Sequence, residues 1–114
     1  MNTVTEAPDT AADQIKAAGT LMSLLTAHAH LRAPAVQLEL QIVPGTYTFV
    51  WGLSISLHDG VDYFEQWRQA LGLDPAGVEL KQRGETSWLT VTGMHAGIPV
   101  SLSGFFTLDP GDDQ

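Results

Sequence analysis

His28 and His30, two imidazoles separated by one residue, are the side chains best suited to share a metal ion. Helical geometry forbids it, because residues two apart point about 200° away from one another; only an extended segment would let both reach one ion. The plainer reading places both near the negative end of a helix dipole, where imidazolium is favoured. His58 precedes an Asp and His95 sits between glycines, so both read as surface loop residues. Asp59 and Asp62 are near neighbours, but a catalytic carboxylate pair needs a cleft that raises one pKa, and helix capping accounts for both. Ser54, Ser56, Ser101 and Ser103 lack a base and an orienter at any recognisable spacing. The patterns H-E-x-x-H, G-x-x-x-x-G-K-[ST] and G-x-S-x-G are absent. With no cysteine, thiolate metal sites and disulfides are excluded. The sequence therefore predicts no catalytic residue, no metal ligand and no cofactor.

The elements that carry these residues follow from periodicity. Residues 1–9 are polar, contain Pro8 and read as a disordered arm. An amphipathic helix of about five turns is predicted from Thr10, capped by Asp9 or Thr10, with Ile15, Ala18, Met22, Leu25 and Ala29 as its buried stripe. Leu21 and Leu24 widen that stripe, and Pro34 ends the helix by Ala33. Val36 to Val43 alternates as a half-buried strand, and Pro44-Gly45 leads to a second strand, Thr46 to Leu57. Its predicted partners are Ile42/Tyr47, Leu40/Phe49, Leu38/Trp51 and Val36/Leu53. An L-Pro-Gly pair favours a type II turn, which suits a two-residue hairpin poorly and points to a longer loop. Asp59 caps a second helix with Asp62 three residues on; Val61, Phe64, Trp67 and Leu71 form its stripe and Gly72 its left-handed end. Three alternating runs follow, Val78–Gln82, Thr86–Thr92 and Ile98–Thr107, separated by Gly84-Glu85 and the loop Gly93–Gly97. The expected fold is α+β: a single antiparallel sheet of about five strands with two helices on one face, in the order α-β-β-α-β-β-β. One domain spans residues 10–108 of the 114, and 109–114 form an acidic tail.

The formal net charge is -8, but six of the thirteen acids lie in the two ends, leaving seven acids against five bases and a centre near -2. No basic stripe exists to follow a phosphate backbone, so nucleic-acid binding is not expected. No apolar run approaches the length of a membrane span, and Met1 to Asp13 shows no signal-peptide pattern, which predicts a cytoplasmic protein without membrane contact.

The informative feature is the sheet face turned away from the helices. If Tyr47, Phe49, Trp51 and Leu53 point inward, then Thr46, Thr48, Val50, Ser54 and Ser56 point outward. The same parity turns Trp88, Thr90 and Thr92 outward, with Pro99, Ser101, Ser103 and Phe105 beside them. An uncharged field of hydroxyls dotted with Trp88, Phe105 and Val50 has the composition of an interface core. Trp88, Phe105, Val50, Thr48, Thr90 and Ser103 are thus predicted to form a face for a partner protein or a second copy. An alternative pocket lies between sheet and first helix, near Trp51, Tyr47 and His28.

Two stretches, GVDYFEQWRQALGL (Gly60–Leu73) and WLTVTGMHAGIPVSLSGF (Trp88–Phe105), resemble segments of small uncharacterised proteins of actinobacteria and their phages or mobile elements. That resemblance implies no activity and no site residues. The functional expectation is a non-enzymatic protein-binding module, a small homodimeric regulatory or accessory factor. The alternatives are a small-molecule-binding protein or enzyme using the pocket, and an acidic phage-type inhibitor of a host protein.

Overall fold

A computed structural model of the chain describes residues 10–58 and 60–107. The expected arm, acidic tail and Asp59 cap lie outside those residues. A 3-10 turn, Ala11–Gln14, leads into helix α1 (Ile15–Ala27); strands β1 (Ala35–Ile42) and β2 (Phe49–Leu57) follow. Helix α2 (Val61–Leu71), a second 3-10 turn at Pro75–Gly77 and strands β3 (Glu79–Arg83), β4 (Thr86–His95) and β5 (Ile98–Thr107) complete the α+β fold. The two 3-10 turns are additions to the element order expected from periodicity.

The five strands lie in the order β1-β2-β5-β4-β3. The sheet is mixed and not purely antiparallel, since β2 and β5 run parallel while the other neighbours are antiparallel. Burial explains the placement. β3 carries Glu79, Lys81 and Arg83 and is exposed along its whole length, so it belongs at an edge. β5 buries Ile98, Val100 and Leu102 at 2% exposure or less and belongs in the middle. β3 to β5 form a meander that starts at the far edge and works back to β2.

The β1–β2 hairpin keeps its predicted faces but slips by two residues, pairing Ile42 with Phe49, Leu40 with Trp51, Leu38 with Leu53 and Val36 with Ile55. The cause is the loop. The Thr46 N–H donates to the Val43 carbonyl at 3.0 Å, closing a turn with Pro44 second and Gly45 third at φ 80°, as a type II turn requires. The Val43 N–H then donates to the Thr48 carbonyl at 2.8 Å. A slip of two restores the same face, whereas a slip of one would invert it. The β4–β5 hairpin is tighter than expected: β4 continues through Gly93 to His95, and Ala96 and Gly97, with φ of 52° and 83°, make a two-residue turn.

Helix α1 differs most from expectation. It stops at Ala27, and its buried residues are Ala17 and Leu24, with Leu21 half-buried. Ile15 and Met22 are 69% and 68% exposed, and Ala18 and Leu25 are also outside. The helix carries two apolar stripes, and the one of Ala17, Leu21 and Leu24 lies against the sheet. At its N-terminus the Asp13 carboxylate accepts from the Thr10 N–H at 3.0 Å and the Thr10 hydroxyl at 2.9 Å. Past its C-terminus, the Trp67 indole N–H donates to the Arg32 carbonyl at 2.8 Å, drawing the connection onto α2.

Helix α2 buries Phe64, Trp67 and Leu71 against β4 and β5, while Val61 is exposed. Its first cap is Gly60, with no side-chain bond, and Gly72 ends it at φ 72°. Phe64 sits so close to β5 that a Cβ on Gly104 would lie 2.7 Å from its own Cβ. Arg68 forks onto Glu65 and donates to the Leu73 carbonyl, pinning the helix end. Bonds from Arg68 and then Gln69 hold the Glu65 carboxyl down at about 2. Among the described residues no helix is long and apolar enough to cross a membrane.

Candidate protein-docking face

Both helices cover one side of the sheet, and among the described residues no element covers the other side. The helix side takes Leu53, Ile55 and Leu57 of β2, Val91 of β4, and Val100 and Leu102 of β5, all at 2% exposure or less. Strand alternation then sends Val50, Ser54, Ser56, Trp88, Thr90, Thr92, Ser101, Ser103 and Phe105 outward.

On that outer side Trp88 and Phe105 are register partners, with ring centroids 5.7 Å apart and planes at 30°. His58, the residue after β2, stacks on the far side of Phe105 at 5.0 Å and 9°. The three rings form a continuous ladder across β2, β5 and β4. Beside it, the Ser103 hydroxyl donates to the Thr90 hydroxyl at 3.3 Å. The three central strands present no charge; outward charges sit only on the edge strands, as Glu39 on β1 and Glu79, Lys81 and Arg83 on β3. Lys81 lies opposite Trp88 and is ion-paired with Glu79 at 3.4 Å.

Four of the six residues predicted for this face are therefore one cluster: Trp88, Phe105, Thr90 and Ser103, all half-buried. Val50 and Thr48 are not part of it. Val50 lies seven residues from Leu57 along β2, roughly 23 Å from the aromatic end of the face, and Thr48 is in the hairpin loop. His58 joins the cluster although its sequence neighbours suggest a loop; the usable signal is its even number, which continues the outward row of Ser54 and Ser56.

The alternative pocket residues do not converge. Tyr47 stands 98% exposed in the hairpin loop. Trp51 is half-buried on β2, two residues before the Leu53–Val100 pair. His28 lies at the other end of α1, edge-on to Trp67 at 6.0 Å. A groove does border the hairpin, lined by Leu40, Ile42, Phe49, Pro99 and Val100, and among the described residues Glu39 is the titratable one in its lining.

The histidines settle into packing roles. His30 is exposed with its ring 6.5 Å from that of His28. His95 is half-buried on β4, not in a loop, and its Nδ1 is 3.1 Å from the carbonyl oxygen of Leu71 at the end of α2. Among the described residues no group of three or more His, Cys, Asp or Glu side chains is placed to hold a metal ion. What the arrangement can do chemically is stack, accept and donate hydrogen bonds through hydroxyls, and exclude water without desolvating a charge.

Compared with known proteins, the chain matches no family model, no curated protein and no solved structure.

Proposed function

We propose that this chain is a non-enzymatic protein-binding module, a small cytoplasmic accessory or regulatory factor whose bare sheet face docks a partner protein. The observation that carries the reading is the His58–Phe105–Trp88 ladder beside the Thr90–Ser103 pair, on three strands without a charge. Rigid aromatic area presents a large contact surface at little entropic expense, and the hydroxyls adapt to a partner's polar groups. A central patch of this kind, rimmed by charged edge strands, has the composition of an interface core inside a polar rim. The reading does not include a small-molecule pocket at Tyr47, Trp51 and His28, because His28 lies against Trp67 at the end of α1 while Tyr47 stands exposed in the hairpin loop.

The test is a photo-crosslinking amino acid at position 90, expressed in the chain's native host. A discrete adduct is expected, lost when Trp88→Lys or Phe105→Lys is added and retained with Met22→Glu, on the opposite side. No adduct, or one indifferent to both aromatic substitutions in variants with unchanged thermal unfolding, would remove the reading.

A further inference from the structure

The two edges of the sheet are built differently. β3 is blunted in the usual way, short and charged at every second residue. β1 is eight residues long, without proline or bulge, and carries one charge, Glu39. Because the Val43 N–H points at β2, strand alternation turns the N–H and C=O groups of Val36, Leu38, Leu40 and Ile42 toward the open edge. Among the described residues no strand pairs with this edge, so a ladder of N–H and C=O groups is available to an added strand.

Helix α1 leaves a second apolar surface beside that edge. On the helical wheel, Leu25, Ala18, Met22 and Ile15 lie about 70° to 150° round, all in one sense, from the buried line of Ala17, Leu21 and Leu24. Lys16 is on the opposite flank and reaches the Gly97 carbonyl at 3.5 Å, in the β4–β5 turn. The apolar flank consequently faces the other way, over β1. Leu40 and Ile42, on the helix side of β1, remain 42% and 43% exposed, and Phe49 opposite Ile42 remains 55% exposed. Ile15, Met22, Leu25, Leu40, Ile42 and Phe49 together expose on the order of 600 Å², against the ~800 Å² each partner contributes to a standard interface. The outer face offers less, its two large aromatics being half-buried.

We propose that β1 and the flank of α1 are the interface with a second copy of this chain, the two β1 strands pairing antiparallel to join the sheets. The sequence of β1 argues for self-pairing over any other strand: Gln37-Leu38-Glu39-Leu40-Gln41 reads the same in both directions, flanked by Val36 and Ile42. Pairing about Glu39 sets Leu38 against Leu40, Gln37 against Gln41 and Val36 against Ile42, with every apolar side chain on the helix side. A two-fold axis there makes the contact isologous and closed. Since α1 packs on β2, the two α1 helices stand about 14 Å apart, three strand spacings. That gap is filled by Ile15, Met22 and Leu25 from each side. The two Glu39 carboxylates meet on the outer face, where like charges directly opposed weaken the pair.

The interface predicts a cross-link. The chain has no cysteine, so Glu39→Cys introduces two thiols facing each other at the axis, at a cross-strand spacing a disulfide can bridge. Mild oxidation of this variant should yield a covalent dimer, and light scattering of the wild type should give twice 12.3 kDa. Met22→Glu and Leu40→Lys, both at exposed positions, should return the monomer mass, whereas Glu39→Gln should lower the dissociation constant about twofold to fivefold. Trp88→Lys should leave the mass unchanged, which separates this interface from the docking face. A wild type that stays monomeric at high concentration would overturn the proposal. So would a dimer that survives Met22→Glu and Leu40→Lys and that, in the Glu39→Cys variant, forms no cross-link on oxidation.

Discussion

Replacing Trp67 by Phe tests how the chain between α1 and β1 is held down. Trp67 is 1% exposed, its indole N–H donates to the Arg32 carbonyl at 2.8 Å, and His28 packs edge-on against it. Phe keeps the buried six-membered ring but removes roughly 35 Å³, which at about 24 cal/mol per Å³ of residual cavity costs about 1 kcal/mol. The Arg32 carbonyl also loses its donor. Arg32 is exposed and water can replace the indole in part, so the low end of the usual penalty, about 1 kcal/mol, applies. The sum, about 2 kcal/mol, corresponds to a fall in Tm of roughly 8 °C for a chain of this size. Denaturant melts measure it directly. Fluorescence gives an independent check, because of Trp51, Trp67 and Trp88 only Trp67 is fully buried, and its loss removes the blue edge of the emission. A double-mutant cycle with His28→Ala should show coupling between the two rings. A loss below about 0.5 kcal/mol, with no coupling, would refute the idea that Trp67 fastens this connection to α2.

One substitution should act with opposite sign at two glycines. Gly104→Ala pushes a methyl onto the Cβ of Phe64 and should destabilise by about 1–3 kcal/mol, whereas Gly19→Ala, in α1 with nothing within 4 Å, should stabilise by about 0.5–1 kcal/mol; chemical denaturation of both variants decides it. Because the Glu65 carboxyl is held below its ordinary value, its pairing supports the fold above pH 4.5 and is lost as pH falls toward 2. Glu65→Gln should therefore lower Tm modestly at neutral pH, the pair being partly exposed, and the difference from wild type should vanish near pH 2.

Strong local patterns were legible. The alternation of β1 identified its apolar side, the spacing of Phe64, Trp67 and Leu71 identified the buried side of α2, and Gly72 marked its end. Local pattern failed where two answers were locally equal. Helix α1 offers two apolar stripes of similar make-up, one with Ile15, Ala18 and Met22 and one with Ala17, Leu21 and Leu24, and only packing on the sheet selects the second. The hairpin register depended on a six-residue loop whose length the strands themselves do not encode. Strand order is a long-range property: nothing within Ile98–Thr107 says that its neighbour is Leu53–Leu57, although its apolar content does say that it must be interior. On the sheet face away from the helices, parity gave the outward side of Trp88, Phe105, Thr90, Ser103 and Val50, but it says which side a residue takes and not how far along it lies, so Val50 falls at the far end from the aromatic cluster.

The fifth strand made is the third across. Until Ile98–Thr107 is in place, β1–β2 and β3–β4 are two separate hairpins with no strand pairing between them, since β5 alone bridges the halves. Synthesis from the N-terminus thus delays closure of the sheet until its last strand has emerged, and the β2–β5 pairing spans nearly fifty positions of chain. A ribosome-tethered series of lengths should show protease resistance arising in one late step, and any truncation that removes β5 should leave two unjoined fragments rather than a smaller domain.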